Sequence, residues 1–197
     1  MIMATSAAEY MDLLEHVLRR GGYDVPNSAK TLTLKERGAS RSQTVKIHYQ
    51  DRAIGFRLDF EVRGPKETPP LFHFLEDEAQ SWSKRCDFIV FHKSNSQMHV
   101  YAIEFKSGTV IQANAKAQLD AGESWVRSLH ATLKSYGGKH RQLRLHKYLI
   151  SASSQPSTFC TSNGFLRADH QIRHYSYAEI KALSLDTLDR SKPITIP

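Results

Sequence analysis

A chain of 197 residues, 40% apolar and 24% charged, is long enough to bury one substantial core and lies outside the compositions of fibrous and disordered proteins, so one domain over residues 1–197 is expected. No apolar run approaches the roughly 18–20 residues that cross a bilayer, and the start MIMATSAAEYMDLLEHVLRR carries acids where a secretory signal needs an apolar stretch, so no membrane association and a cytoplasmic location are expected. Two cysteines, Cys86 and Cys160, are too few for a disulfide framework and lack zinc-site spacing, whereas the net charge of +7 favours a polyanionic partner, because each phosphate neutralised by Lys or Arg releases condensed counterions.

Ser6 and Glu9 form an S-x-x-E capping box, and Tyr10, Leu14, Val17 and Leu18 recur at helical spacing up to Gly21-Gly22, which predicts an amphipathic helix over roughly residues 6–20. Three β-like runs follow, Lys30–Leu34, Thr44–Tyr49 and Ala53–Val62, the last with Ile54, Phe56, Leu58 and Phe60 on one face. With Gly38 and Gln50-Asp51 at their links they read as a meander. Prolines make Arg63–Pro70 a loop, and Leu71–Lys84 can hold a short helix.

Asp87–Lys93 and Met98–Lys106 are the strongest strand pair, separated by the polar turn Ser94-Asn95-Ser96-Gln97. A long helix is expected from Val110 to Tyr136, closed by Gly137-Gly138. Leu143–Ser151 then reads as a strand, Ala152–Asn163 as a loop, Ile172–Tyr175 as a short strand and Tyr177–Leu185 as a helix. The order implies an α/β (mixed α+β) fold with one central mixed sheet flanked by helices.

Chemistry concentrates in the strand pair. Alternation puts Tyr101, Ile103 and Phe105 on one face and Val100, Ala102, Glu104 and Lys106 on the other. If the hairpin turns on Asn95-Ser96, paired numbers sum to 191, so 93 faces 98 and Asp87 faces Glu104. Opposed residues on antiparallel strands have Cβ atoms about 4.5–5.5 Å apart. Two carboxylates at that distance repel, and a divalent cation or a shared proton resolves the conflict. Lys106, on the Glu104 face, supplies positive charge where a phosphate or attacking water would sit. The bland alternative makes Asp87 and Lys106 strand-end charges with Glu104 paired to Lys106 in solvent, and a one-residue register slip would undo the pairing.

Cys86-Asp87-Phe-Ile-Val-Phe, a turn, and Val100-Tyr-Ala-Ile-Glu104-Phe-Lys106-Ser-Gly108 resemble the PD-(D/E)xK, or restriction-endonuclease-like, nuclease superfamily, whose signature is an acid on one strand and E-x-K on the next. The motif covers roughly residues 85–120, with Cys86 where the signature has proline. By that resemblance Asp87, Glu104 and the Phe105 main-chain carbonyl would hold Mg²⁺ or Mn²⁺, and Lys106 would orient or activate water. The resemblance also implies a helix glutamine, for which Gln118 is the candidate, although Gly122 stands where an aromatic residue is expected. A glutamate on the first helix can join such sites, with Glu15 ahead of Glu9. The implied activity is metal-dependent cleavage of nucleic acid, DNA rather than RNA, in a bacterial defence or DNA-processing system. A homodimer or a partner subunit would supply specificity.

Competing readings draw on fewer residues. His170 and His174 have i, i+4 spacing but fall outside a helix, and His146 lies in a strand. Lys139, His140, Arg141 and Arg144, with Lys84-Arg85 upstream, make basic clusters suited to phosphate contact or to a solvated face. No glycine-rich phosphate loop or G-x-S-x-G elbow occurs. Besides a nuclease, the sequence is compatible with an inactive nuclease-fold module that binds nucleic acid or a protein, and with a small-phosphoester hydrolase.

Overall fold

The computed structural model describes residues 5–18, 23–36, 43–59, 84–138, 140–181 and 183–197. The expected loop at 63–70, the helix at 71–83, Phe60, Gly38, the Gly21-Gly22 stop and Lys139 lie outside these residues.

Helix α1 (Ala7–Val17) opens on the capping box: Ser6 Oγ accepts from the Glu9 N–H, and the Glu9 carboxylate accepts from the Ser6 N–H. Its apolar stripe of Tyr10, Met11 and Leu14 is fully buried, each such side chain contributing on the order of 1.5–3 kcal/mol. The helix ends at a Leu18 cap, earlier than the periodicity suggested. A small antiparallel sheet follows, of β1 (Asn27–Ser28), β2 (Thr31–Lys35) and β3 (Thr44–His48).

The chain then enters a second, mixed sheet. It comprises β4 (Arg52–Arg57), β5 (Phe88–Ser94), β6 (Gln97–Lys106), β7 (Leu143–Ser151), β8 (Phe165–Leu166), β9 (Asp169–Ser176) and β10 (Ile194–Ile196), in the order β4-β5-β6-β7-β9-β8. The β4-β5-β6 stretch is antiparallel, whereas β6-β7 and β7-β9 are parallel. Helix α2 (Gln112–Gly137) makes the β6-to-β7 crossover that parallel strands require, and terminates on Gly138 in the left-handed conformation at φ 59°. Short α3 (Tyr177–Ile180) follows β9.

The expected three-strand meander is therefore corrected, since β4 pairs with β5 and not with β3. Strand β3 alternates buried and exposed, as suits a half-covered peripheral sheet, whereas β4 is buried on both faces from Ala53 to Arg57. Gly55 permits the close crossing of Val25, whose Cβ would lie 2.8 Å from a side-chain carbon at that position. Strand β9 extends further, α3 is shorter, and β1, β8 and β10 were not anticipated.

Two apolar layers sandwich the central sheet. One joins α1 and α2 to Ile54, Phe56, Leu58, Ile89, Phe91, Val100 and Leu145. The other joins the small sheet and the C-terminal segment to Val90, Tyr101, Ile103, Phe105 and Tyr148. Tyr10 Oη and His130 Nδ1, 2.7 Å apart, tie α1 to α2. Lys147, 3% exposed on β7, meets Asp120 Oδ1 at 2.6 Å and Glu123 Oε2 at 2.8 Å on α2. Among the described residues no helix is long and apolar enough to cross a membrane.

Candidate active site

The β5–β6 hairpin turns on Asn95-Ser96, with Asn95 at a φ of 54°, and pairs Phe88 with Ile103 and Ser94 with Gln97. That register places Asp87 against Glu104, as the turn-centred pairing requires. Each carboxylate accepts an N–H from the opposite strand: the Asp87 N–H donates to Glu104 Oε2 at 3.2 Å, and the Phe105 N–H donates to Asp87 Oδ2 at 2.5 Å. On its other side the Asp87 carbonyl accepts the Leu58 N–H at 2.9 Å, extending the contact to the end of β4. Backbone ladders on both flanks thus fix the acid pair.

Lys106 Nζ forms a close ion pair with Glu104 Oε1 and donates to Gln118 Oε1 at 2.8 Å. Gln118 Nε2 in turn donates to the Arg85 carbonyl at 3.3 Å, just upstream of Asp87. The four side chains expected to act together, Asp87, Glu104, Lys106 and Gln118, do converge. Gln118 is the seventh residue of α2, nearer the helix start than a helix beginning at Val110 implied.

The departure at Gly122 has a steric cause. A Cβ there would fall 2.5 Å from Cys86 Sγ, so α2 lies against the start of β5 too closely for an aromatic side chain. Cys86 itself is fully buried, and burial raises its thiol pKa well above normal. It packs as an apolar residue, and so does Cys160, 3% exposed.

Glu15 and Glu9 do not belong to the site. Glu15 pairs with Arg52 at 2.9 Å, and Arg52 lies opposite Lys93 at the far end of the hairpin, some 20 Å of strand from Asp87. Glu9 caps its own helix. Among the described residues the histidines form no ligand set: His174 bonds Ser151 Oγ at 2.8 Å, His146 stacks on Tyr101, and His170 is exposed.

Residues that sequence reasoning missed surround the acid pair. Asp59, held by Arg57 at 2.7 Å, adds negative potential at both Asp87 and Glu104. Glu36 accepts from the Ser107 N–H at 3.1 Å and from Tyr177 Oη at 2.7 Å, bringing the small sheet to the end of β6. A lone acid after an apolar strand gives no sign of this destination.

Burial dominates the electrostatics. Glu104 is 1% exposed, and desolvation raises its carboxyl pKa to about 7, against the lowering effects of Lys106 and the Asp87 N–H. Desolvation, then Glu104 and Asp59, push Asp87 well above the usual carboxylate range. A carboxylate must lose its proton to ligate a cation, so raised pKa values make any metal binding at this pair pH-dependent.

No three His, Cys, Asp or Glu side chains among the described residues form a metal-ligating group. Asp87 and Glu104 still fit Mg²⁺, which takes one or two carboxylates and fills its remaining positions with water and substrate oxygens. Cavities of about 500 Å³ (Lys84, Arg85, Asn114, Gln118) and about 450 Å³ (Ser107–Val110, Ala152–Gln155, Thr158, Phe159) adjoin the site elements. The first is lined by cations and amides, and the second by hydroxyls, an amide and the apolar Val110 and Phe159. Compared with known proteins, the chain matches no protein-family model, and neither a curated protein nor a solved structure resembles it significantly.

Proposed function

We propose that this protein is a divalent-metal-dependent nuclease with a restriction-endonuclease-like core. The observation that carries the reading is the Asp87–Glu104 pair held across the hairpin by reciprocal main-chain hydrogen bonds, with Lys106 tethered between Glu104 and Gln118. The order β4-β5-β6, α2, β7 also suits that core.

Asp87 and Glu104, with the Phe105 carbonyl, are the groups that would hold Mg²⁺ or Mn²⁺. The ion supplies charge neutralisation at the scissile phosphate. Lys106 directs its ammonium at the attacking water and the phosphate oxygens, where negative charge grows as the phosphodiester is hydrolysed. Gln118 acts through Lys106 as a positioning residue, fixing the ammonium from the helix side. Lys84 and Arg85 attract the polyanion, with DNA preferred as substrate. A defence or DNA-processing setting, with a second copy or a partner subunit providing specificity, completes the reading.

The test is cleavage of single- and double-stranded DNA and RNA by the purified protein with Mg²⁺ or Mn²⁺, against an EDTA control. Metal-dependent cleavage supports the proposal. Binding of nucleic acid without cleavage under every metal condition would replace it with the inactive binding module.

A further inference from the structure

The end of the central sheet remote from the carboxylates carries a second constellation. A cavity of about 410 Å³ opens where the Ser94–Gln97 turn meets the C-terminal segment, lined also by His99, His146, Arg144, Arg190 and Pro193. That volume lies in the range of small-molecule sites. His99 precedes Glu104 by five residues on β6, about 17 Å of strand, so one phosphodiester cannot touch both places.

The walls carry Arg144 and Arg190, and although Asp189 adds negative potential at His146 and Asp186 at Tyr101 and His92, the nearest cationic or imidazole partner of each acid is a residue other than these two arginines. Asp186 faces His92 at 3.6 Å, Asp189 faces Arg173 at 3.7 Å, and neither Arg144 nor Arg190 has a carboxylate within ion-pair distance among the described residues. Arg190 donates through Nη2 to Tyr101 Oη at 2.7 Å and to the Leu185 carbonyl, which fixes its guanidinium at the cavity. Its Nε is buried without a hydrogen-bond partner among the described residues. The half-buried guanidinium thus keeps one buried N–H short of an acceptor, a cost that a bound anion would relieve.

The imidazoles do not supply that anion. His99 Nδ1 and His146 Nε2 lie 3.1 Å apart, and the side chains are only 4% and 3% exposed. Burial, reinforced by Arg190, lowers their pKa values to about 3 and about 4, so both are neutral near pH 7. Arg144 also borders an adjoining cavity with Arg141 and His140, which extends the positive surface of this end of the sheet.

We propose that this cavity binds a small phosphomonoester of mononucleotide size, its phosphate gripped by Arg144 and Arg190. Planar guanidinium forks match phosphate oxygens two at a time. Bare phosphate would leave most of the space unfilled. The proposal stands on its own residues and is independent of the nuclease reading.

The full chain in EDTA is titrated by calorimetry with AMP, adenosine, inorganic phosphate and a 5′-phosphorylated oligonucleotide, while the histidine ring signals are followed by NMR. AMP is expected to bind at one site per chain, more tightly than inorganic phosphate. Adenosine should not bind, and the His99 and His146 signals should shift with AMP. Arg144 is only half-buried, so Arg144→Ala and Arg144→Glu are expected to fold normally and weaken AMP by roughly tenfold or more. Arg190→Lys should weaken it while retaining a donor for Tyr101. Glu104→Ala should leave AMP affinity unchanged. Failure of AMP to bind at millimolar concentration, affinity indifferent to Arg144→Glu, or shifts confined to other histidines would overturn the proposal. Tighter binding of the oligonucleotide than of AMP would also overturn it, by assigning the cavity to a nucleic-acid end.

Discussion

Replacing Glu104 with glutamine should remove the loss of stability with rising pH that this carboxyl imposes at the acid pair. The Glu104 carboxyl, 1% exposed, has its pKa raised from 4.5 to about 7 by burial, so the folded state binds more protons than the unfolded state between those values. Stability from this group therefore falls as pH rises from about 4.5 through about 7, then levels. Integrated from pH 5 to pH 8, the loss is about 2–3 kcal/mol. At about 2–4 °C per kcal/mol for a chain of this size, the difference between wild type and Glu104→Gln should grow by about 5–10 °C in favour of the variant. Using the variant as reference cancels His92, His99 and His146, whose lowered pKa values give the opposite slope below about pH 6.5. Thermal unfolding by circular dichroism at both pH values measures the effect. Mg²⁺ or Mn²⁺ should restore the wild type more at pH 8 than at pH 5, because the cation replaces the proton. Parallel Tm–pH curves for the two proteins would refute the reasoning.

Lys106→Ala should leave Mn²⁺ affinity nearly unchanged by calorimetry yet slow single-turnover cleavage a few hundredfold or more, on the order of 3–4 kcal/mol, because an ammonium cannot ligate a cation. Lys106→Arg should rescue poorly, since a planar guanidinium replaces a compact charge. Gly122→Ala should destabilise by about 1–3 kcal/mol in urea unfolding through its clash with Cys86 Sγ, outweighing a helix-propensity gain of under about 1 kcal/mol, and Cys86→Ala in the same chain should remove most of that penalty. The double variant Asp120→Asn, Glu123→Gln leaves Lys147 buried without a counter-charge and should cost about 3–5 kcal/mol, whereas Lys147→Met should be close to neutral.

The acid pair was legible because a two-residue turn fixes the register of its hairpin, and every pair then follows by counting from Asn95-Ser96. Lys106 followed from strand alternation, and Gln118 from its place on the helix after E-x-K. Glu15 could not be placed in the same way: a helical wheel gives its angle about α1, but its position depends on which end of the sheet α1 covers, and Arg52 claims it there. The meander expectation failed because sequence adjacency of β3 and β4 carries no information about which sheet each joins. The double-sided burial of Ala53–Arg57 separates the two strands in the structure, but Gly55 and Arg57 hide it in the sequence. Strand β10 has three residues and takes its place from pairing with β7, which local pattern cannot encode. Asp59 and Glu36 reach the site by long-range packing alone.

The most direct test of the central claim is single-turnover cleavage of a DNA duplex by wild type and by Glu104→Ala in Mg²⁺, with folding of both verified by circular dichroism. The account predicts metal-dependent cleavage by the wild type and its loss in a well-folded Glu104→Ala protein, because removing a ligand removes charge neutralisation at the scissile phosphate. Metal-dependent cleavage at the wild-type rate by Glu104→Ala would show that the Asp87–Glu104 pair is not the catalytic centre.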